Sequence, residues 1–177
     1  MLTNTFECSV LDALERMSTL AGDSLGCVLA TPIIGDAGGE EVIAGIRDVW
    51  AALHGVLRPA SAALLVFDDR QVSGRLEAGL AWRIAFALQS DHWILRNALV
   101  GPVSAGAPSC GIGFFFVRQA DYHFDVDAVR AKYGANPGDV VLARGDSITD
   151  RFVAAACPGG GPVTELFVGG ACREVAA

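Results

Sequence analysis

The chain has 177 residues, enough for one domain with a single sizeable core. Its net charge of −7 and pI of about 4.8 argue against a general nucleic-acid binder, because phosphate contacts need a surplus of Lys and Arg; no nucleic-acid partner is expected. Hydrophobic residues make up 52% and the mean hydropathy is +0.41, yet the longest uncharged stretch, Arg96 to Arg118, is broken by Gly101, Pro102, Gly106, Pro108, Gly111 and Gly113, so it reads as two strands and a loop rather than a membrane span.

The start, "MLTNTFECSVLDALERM", has neither a basic beginning nor an apolar h-region, so no signal peptide is expected. "SVLDALERMSTL" predicts a helix, with Ser9 as its cap and Val10, Leu14 and Met17 on one face. "LGCVLAT" suggests a short strand. "IIGDAGG" then leads into "EEVIAGIRDVWAALHGVL", where Val42, Ile43, Ile46, Val49, Trp50 and Leu53 outline an amphipathic helix. "AALLVFDD" is apolar enough for a buried strand or core segment. "GRLEAGLAWRIAFALQ" fits one helix, with Leu76, Leu80, Ile84 and Leu88 on a face, or a short helix followed by a strand. "HWILRNALV" and "GIGFFFVR" are β-rich. "FDVDAVRAKYG" is a helix with Asp125 as cap and Gly134 as stop, "DSITDRFVAAA" is another, and "VTELFVGGA" is a last strand. The five cysteines, Cys8, Cys27, Cys110, Cys157 and Cys172, include no C-x-x-C pair and read as buried, reduced thiols of a cytoplasmic protein.

Several short patterns invite a chemical reading. "GDSIT", from Gly145, has the look of an esterase nucleophile block, but all three histidines, His54, His92 and His123, precede it. The simpler reading has Asp146 or Ser147 capping a helix, with Asp150 in its first turn. "GDAGGEE", Gly35 to Glu41, has the layout of a phosphate cradle, yet Asp36, Glu40 and Glu41 would repel a phosphate. "DYHFDVD" places Asp121, His123, Asp125 and Asp127 at alternate positions, as a metal site would, but an acid-capped helix start is favoured and no metal is expected. Arg96 and Glu165 each interrupt an apolar strand pattern. Such a charge either faces solvent on an edge strand or is buried for a purpose.

The order of "LLVFDDRQVSGRLE", "WRIAFALQ", "HWILRNALV", "GFFFVR", "VRAKYGANPGDVVLARGDSITDRF" and "GPVTELFV" resembles the chorismate pyruvate-lyase family over residues 60–170. The resemblance implies an α+β fold: a mainly antiparallel sheet with helices on one side, residues 81–89 as a strand, and a helical N-terminal part over 1–57 of a single domain spanning 1–177. It implies a carbon–oxygen lyase converting chorismate, or a related cyclic carboxylate, to 4-hydroxybenzoate and pyruvate without a cofactor. In that reading Arg96 would grip the ring carboxylate with its planar fork. Glu165, desolvated by Leu166, Phe167 and Val168, would hold a proton at the opposite end of the ring. The backbone near Gly138 would add a contact. The alternative is a non-catalytic domain of the same fold that binds a small aromatic acid.

Overall fold

The computed structural model describes residues 4–34, 38–68, 79–104, 110–134, 146–157 and 163–169. Its elements, in chain order, are β1 (Asn4–Cys8), α1 (Val10–Ser18), β2 (Leu25–Ile33), α2 (Gly39–Val56), β3 (Leu57–Asp68), α3 (Leu80–Ser90), β4 (Ile94–Pro102), β5 (Cys110–Val117), α4 (Val126–Tyr133), α5 (Ile148–Ala156) and β6 (Val163–Gly169). The helices start where local chemistry dictates. Ser9 Oγ accepts from the Asp12 amide at 3.2 Å while the Asp12 carboxylate accepts from the Ser9 amide at 3.1 Å, a reciprocal cap. Asp125 accepts from the Ala128 amide at 2.8 Å, and Gly134, at φ 69°, ends α4 in the left-handed region that favours glycine.

The six strands form one mixed sheet in the order β1-β6-β2-β3-β5-β4. β1, β6, β2 and β3 run parallel; β5 pairs antiparallel with β3 and with β4. The expected mainly antiparallel sheet with helices on one side is therefore corrected. The physical reason lies in the central strands. Ala63, Leu65 and Phe67 of β3, with Phe114 and Phe116 of β5, pack against Ala13 and Met17 of α1, Trp50 and Leu53 of α2, and Ile84 and Leu88 of α3. Ala62, Leu64 and Val66, with Phe115 and Val117, pack on the opposite face against Ile148 and Phe152 of α5. A strand covered on both faces needs apolar residues at every position, as parallel α/β sheets do.

Residues 81–89, expected as a strand, lie within helix α3. Leu80, Ile84 and Leu88 are buried at helical spacing, and Trp82 and Phe86, which on a strand would have shared a face with Ile84 and Leu88, are 42% and 56% exposed. The N-terminal part contributes β1 and β2 to the sheet as well as α1 and α2. Of the cysteines read as reduced thiols, Cys27 of β2 and Cys157 at the end of α5 are joined in a buried disulfide, and Cys110 is unpaired and exposed. Among the described residues no helix is long and apolar enough to cross a membrane.

Candidate crevice at the strand ends

β1, β6, β2 and β3 all end at one edge of the sheet, at Cys8, Gly169, Ile33 and Asp68. β2 and β6 are neighbours, but their helices part. β2 is followed by α2 on one face of the sheet, whereas β6 is entered from α5 on the other. Where the helices of adjacent parallel strands diverge in this way, a crevice opens beyond the carboxyl ends, and open α/β sheets place their ligands there.

The residues around this crevice follow from the chain's own punctuation. β2 runs out through Ile34, and α2 opens at Gly38, which offers no side-chain cap, so the amides of the first turn of α2 receive no side-chain acceptor from it. The carboxylates of Glu40 and Glu41 stand in that turn. Glu40 pairs with Arg83 in the first turn of α3, which ties the two helix starts together. β6 ends at Gly169, followed in sequence by Gly170. On the other face of the sheet, Thr149 Oγ1 of α5 donates to the Val103 carbonyl, just past the end of β4, at 2.7 Å. Ser147 is fully buried; its Oγ accepts from the Asp150 amide at 3.0 Å and donates to the Asp150 carboxylate at 2.7 Å. It is an N-cap, with both hydrogen-bonding roles of its hydroxyl in use, and no histidine stands among its hydrogen-bond partners.

The residues singled out in the sequence are not brought together. Arg96 is the extra residue of a bulge in the edge strand β4, where the register shifts between Leu95 and Asn97. It is exposed, donates from Nε to the Tyr122 hydroxyl at 3.1 Å, and holds its guanidinium 5.2 Å from the centre of that ring. Glu165 lies on β6, in register with Leu29 and Thr5. β2, β3 and β5 stand between their strands, which at about 4.8 Å per strand is on the order of 19 Å. Gly138 lies outside the described residues. Asp125 of "DYHFDVD" is spent as the cap of α4, and among the described residues no three His, Cys, Asp or Glu side chains converge as metal ligands.

No family model and no curated protein matches the chain. Solved structures do. PvuII DNA methyltransferase (cytosine-N4-specific) superposes with a TM-score of 0.70 at 8% identity, over 96% of this chain and 81% of its own. TTHA0409 of Thermus thermophilus, complexed with S-adenosyl-L-methionine, gives 0.62 at 13% identity, over 95% and 87%. The M1.HpyAVI–SAM complex gives 0.56 at 8%, over 95% and 92%. At these identities the likeness is one of fold.

That fold overturns the resemblance to chorismate pyruvate-lyases. With it go the carbon–oxygen lyase activity, the cyclic or aromatic carboxylate as small-molecule substrate, and the aromatic-acid-binding alternative, which presupposed the same antiparallel fold. The expectation of no nucleic-acid partner does not stand either, since a protein of this fold, the PvuII enzyme, is a DNA methyltransferase. Net charge alone does not exclude such a partner, because a phosphate surface depends on where cations sit rather than on their sum. The crevice itself escaped the sequence reading. Its signal was the unbroken apolar runs Ala62–Phe67 and Phe114–Val117, which mark a sheet covered on both sides.

Proposed function

We propose that the chain is a methyltransferase domain that binds S-adenosylmethionine in the crevice between β2 and β6 and acts on nucleic acid. The observation that supports it is the sheet order with helices on both faces, an architecture matched over 95% of this chain in a structure that holds S-adenosyl-L-methionine. The residues at the crevice suit such a ligand. Gly169, without a side chain, permits close backbone approach at the end of β6. Glu40 and Glu41, with Asp36 before them in sequence, disfavour a phosphate but favour a cation, and the ligand's sulfonium is one. When bound, S-adenosylmethionine supplies an electrophilic methyl group. The chain's part is to hold that group at the strand ends against an acceptor, so that proximity and orientation carry the rate.

A second reading has the methyl accepted by a protein side chain rather than a nucleobase. It is favoured by the engagement of the arginines: Arg47, Arg83, Arg118, Arg130 and Arg151 each pair with a carboxylate, in a chain whose net charge is −7. Calorimetry with S-adenosylmethionine tests the shared premise, and a saturating titration without heat sinks both readings. Transfer of a tritiated methyl group to duplex DNA, weakening steeply with added salt, supports the first; labelling of protein but not DNA supports the second.

A further inference from the structure

α1, α2 and α3 lie side by side on one face of the sheet, with α3 outermost. Ile84 and Leu88 hold α3 to the core, but Trp82 and Phe86 turn outward, their ring centres 5.8 Å apart. Trp82 also packs edge-on against Phe114 of β5 at 4.9 Å, so the aromatic pair reaches toward β4, the outer neighbour of β5. On that same face Ala98 of β4 stands opposite Phe114 and Val100 opposite Ile112, and Val100 is exposed. Trp82, Phe86, Ala98 and Val100 thus make one uncharged, apolar strip along a sheet edge that no further described strand pairs.

The edge is guarded at its two ends. The bulge at Arg96 puts a charge and a kink at the start, and Pro102, without an amide hydrogen, stands at the finish. Asn97 to Gly101, between them, has neither device and keeps a regular register with β5. The Ala98 amide donates to the Asn97 side chain at 2.9 Å, a local bond of the kind that competes with a strand ladder.

We propose that this strip is the interface of a reversible homodimer, in which β4 pairs antiparallel with β4 of a second copy about a two-fold axis at Leu99. The two guards set the register: Leu99 meets its own counterpart, Ala98 meets Val100, and Asn97 meets Gly101. A two-fold axis normal to the sheet keeps like faces together. The Trp82–Phe86 pairs of both copies then lie over the joined strands on one side, and uncharged strip meets uncharged strip, so the surface is its own complement. Area decides the mode. With about half of each ring exposed, the two aromatics offer on the order of 200 Å² per copy, against the roughly 800 Å² per copy of a standard interface. Contact between helices alone is too small, and the strand edges must contribute the rest. The Ala98 amide must also exchange its bond to Asn97 for one across the axis. The association is therefore weak, with a dissociation constant on the order of 10 µM. β3 and β5 separate this edge from the crevice between β2 and β6, so the test does not depend on methyl transfer.

The test is sedimentation equilibrium of the full chain over a concentration series that brackets that value, with hydrogen exchange followed at the lowest and highest concentrations. A reversible monomer–dimer equilibrium is expected. Amides of Asn97 to Gly101 should gain protection at high concentration while those of the other edge strand, β1, do not, and acrylamide should reach Trp82 less readily. Phe86→Glu and Phe86→Lys, at an exposed position, set like charges near the axis, and each should weaken the dimer at least tenfold. An equimolar mixture of the two should associate more tightly than either alone, as contact with a second copy requires. Leu11→Glu, on the exposed side of α1, should leave the association unchanged. Circular dichroism confirms that each variant is folded. The proposal is overturned if the chain stays monomeric throughout, if folded Phe86→Glu dimerises as the parent does, if the mixture gains nothing, if Leu11→Glu weakens the dimer as much, or if the protection appears at β1 instead of β4. A monomer whose Trp82 emission responds to a single-stranded oligonucleotide would give the strip to nucleic acid and overturn the proposal equally.

Discussion

The Asp146 carboxylate receives the Nε–H of Arg151 at 2.6 Å while its other oxygen accepts the Ser147 amide at 2.8 Å. Both partners are withdrawn from water, with the Asp146 side chain 3% and the Arg151 side chain 11% exposed. The guanidinium also lies 5.2 Å from the centre of the Tyr133 ring, so the pair joins the start of α5 to α4. Removing one member leaves a buried charge with an incomplete set of partners. Arg151→Met is therefore expected to cost about 3–5 kcal/mol of stability, read from the midpoint of urea unfolding. A loss below about 1 kcal/mol, the range of surface pairs, would show that the pair is solvated.

Ser147 makes the cap of α5, and its role is structural. Ser147→Ala should cost about 0.5–2 kcal/mol, and a fluorophosphonate that labels activated serines should leave the parent protein unmodified. Covalent labelling at Ser147 would contradict the cap assignment.

His54 packs edge-on against Trp93, with ring centres 5.3 Å apart. Burial lowers its pKa below the ordinary value, and the nearby charges of Arg118 and His92 act in the same direction. The unfolded chain then binds the proton more tightly than the folded one, so the stabilisation from a neutral His54 is complete above the unfolded pKa of about 6.5. It is lost as the pH falls from there through the folded pKa. His54→Phe should flatten the pH dependence of the thermal midpoint in that window. An unchanged slope would assign the dependence to other groups.

Tryptophan fluorescence tests the placement of α3. Trp50 and Trp93 are buried, and Trp82 is half-exposed beside Phe86. Acrylamide should quench one component of the emission, and Trp82→Phe should abolish that component. If quenching persists in the variant, the helix does not present this face to solvent.

The disulfide between Cys27 and Cys157 predicts that neither residue reacts with a thiol reagent in denaturant without reductant. Cys157→Ala, or prior reduction, should lower stability by about 2–5 kcal/mol, since the bond closes a loop of most of the chain. Alkylation of Cys27 or Cys157 in the unreduced, denatured protein would show the thiols to be free.

Much of the local structure was legible in the residues. Ser9, Asp125, Ser147 and Gly134 mark helix ends because capping depends on neighbours three or four positions away. Strand partnership was not legible, because β6 pairs with β1 and β2 across nearly the whole sequence and no local pattern records that. The segment 80–90 shows the cost. Trp82, Ile84, Phe86 and Leu88 satisfy a strand period while Leu80, Ile84 and Leu88 satisfy a helix period, and a resemblance to another fold decided the matter the wrong way. Arg96 carried a real signal, a charge in an apolar strand, whose cause is an edge bulge rather than a buried ligand. Glu165 lay on a strand whose neighbours in the sheet no spacing could have named.

The position of β6 also has a consequence for the order in which the sheet can assemble. β2 is made early, yet one of its two edges stays open until β6, the last of the described elements to leave the ribosome, slides between it and β1. Until then β2, β3, β5 and β4 can form a four-stranded intermediate whose apolar flank at β2 is unpaired, with β1 detached from the sheet. Closure must wait for contacts between the two ends of the sequence, which are slow to form and leave such edges open to pairing with other chains. Holding the nascent chain short of Val163 should therefore yield a state whose β1 amides exchange freely while those of β3 and β5 are protected.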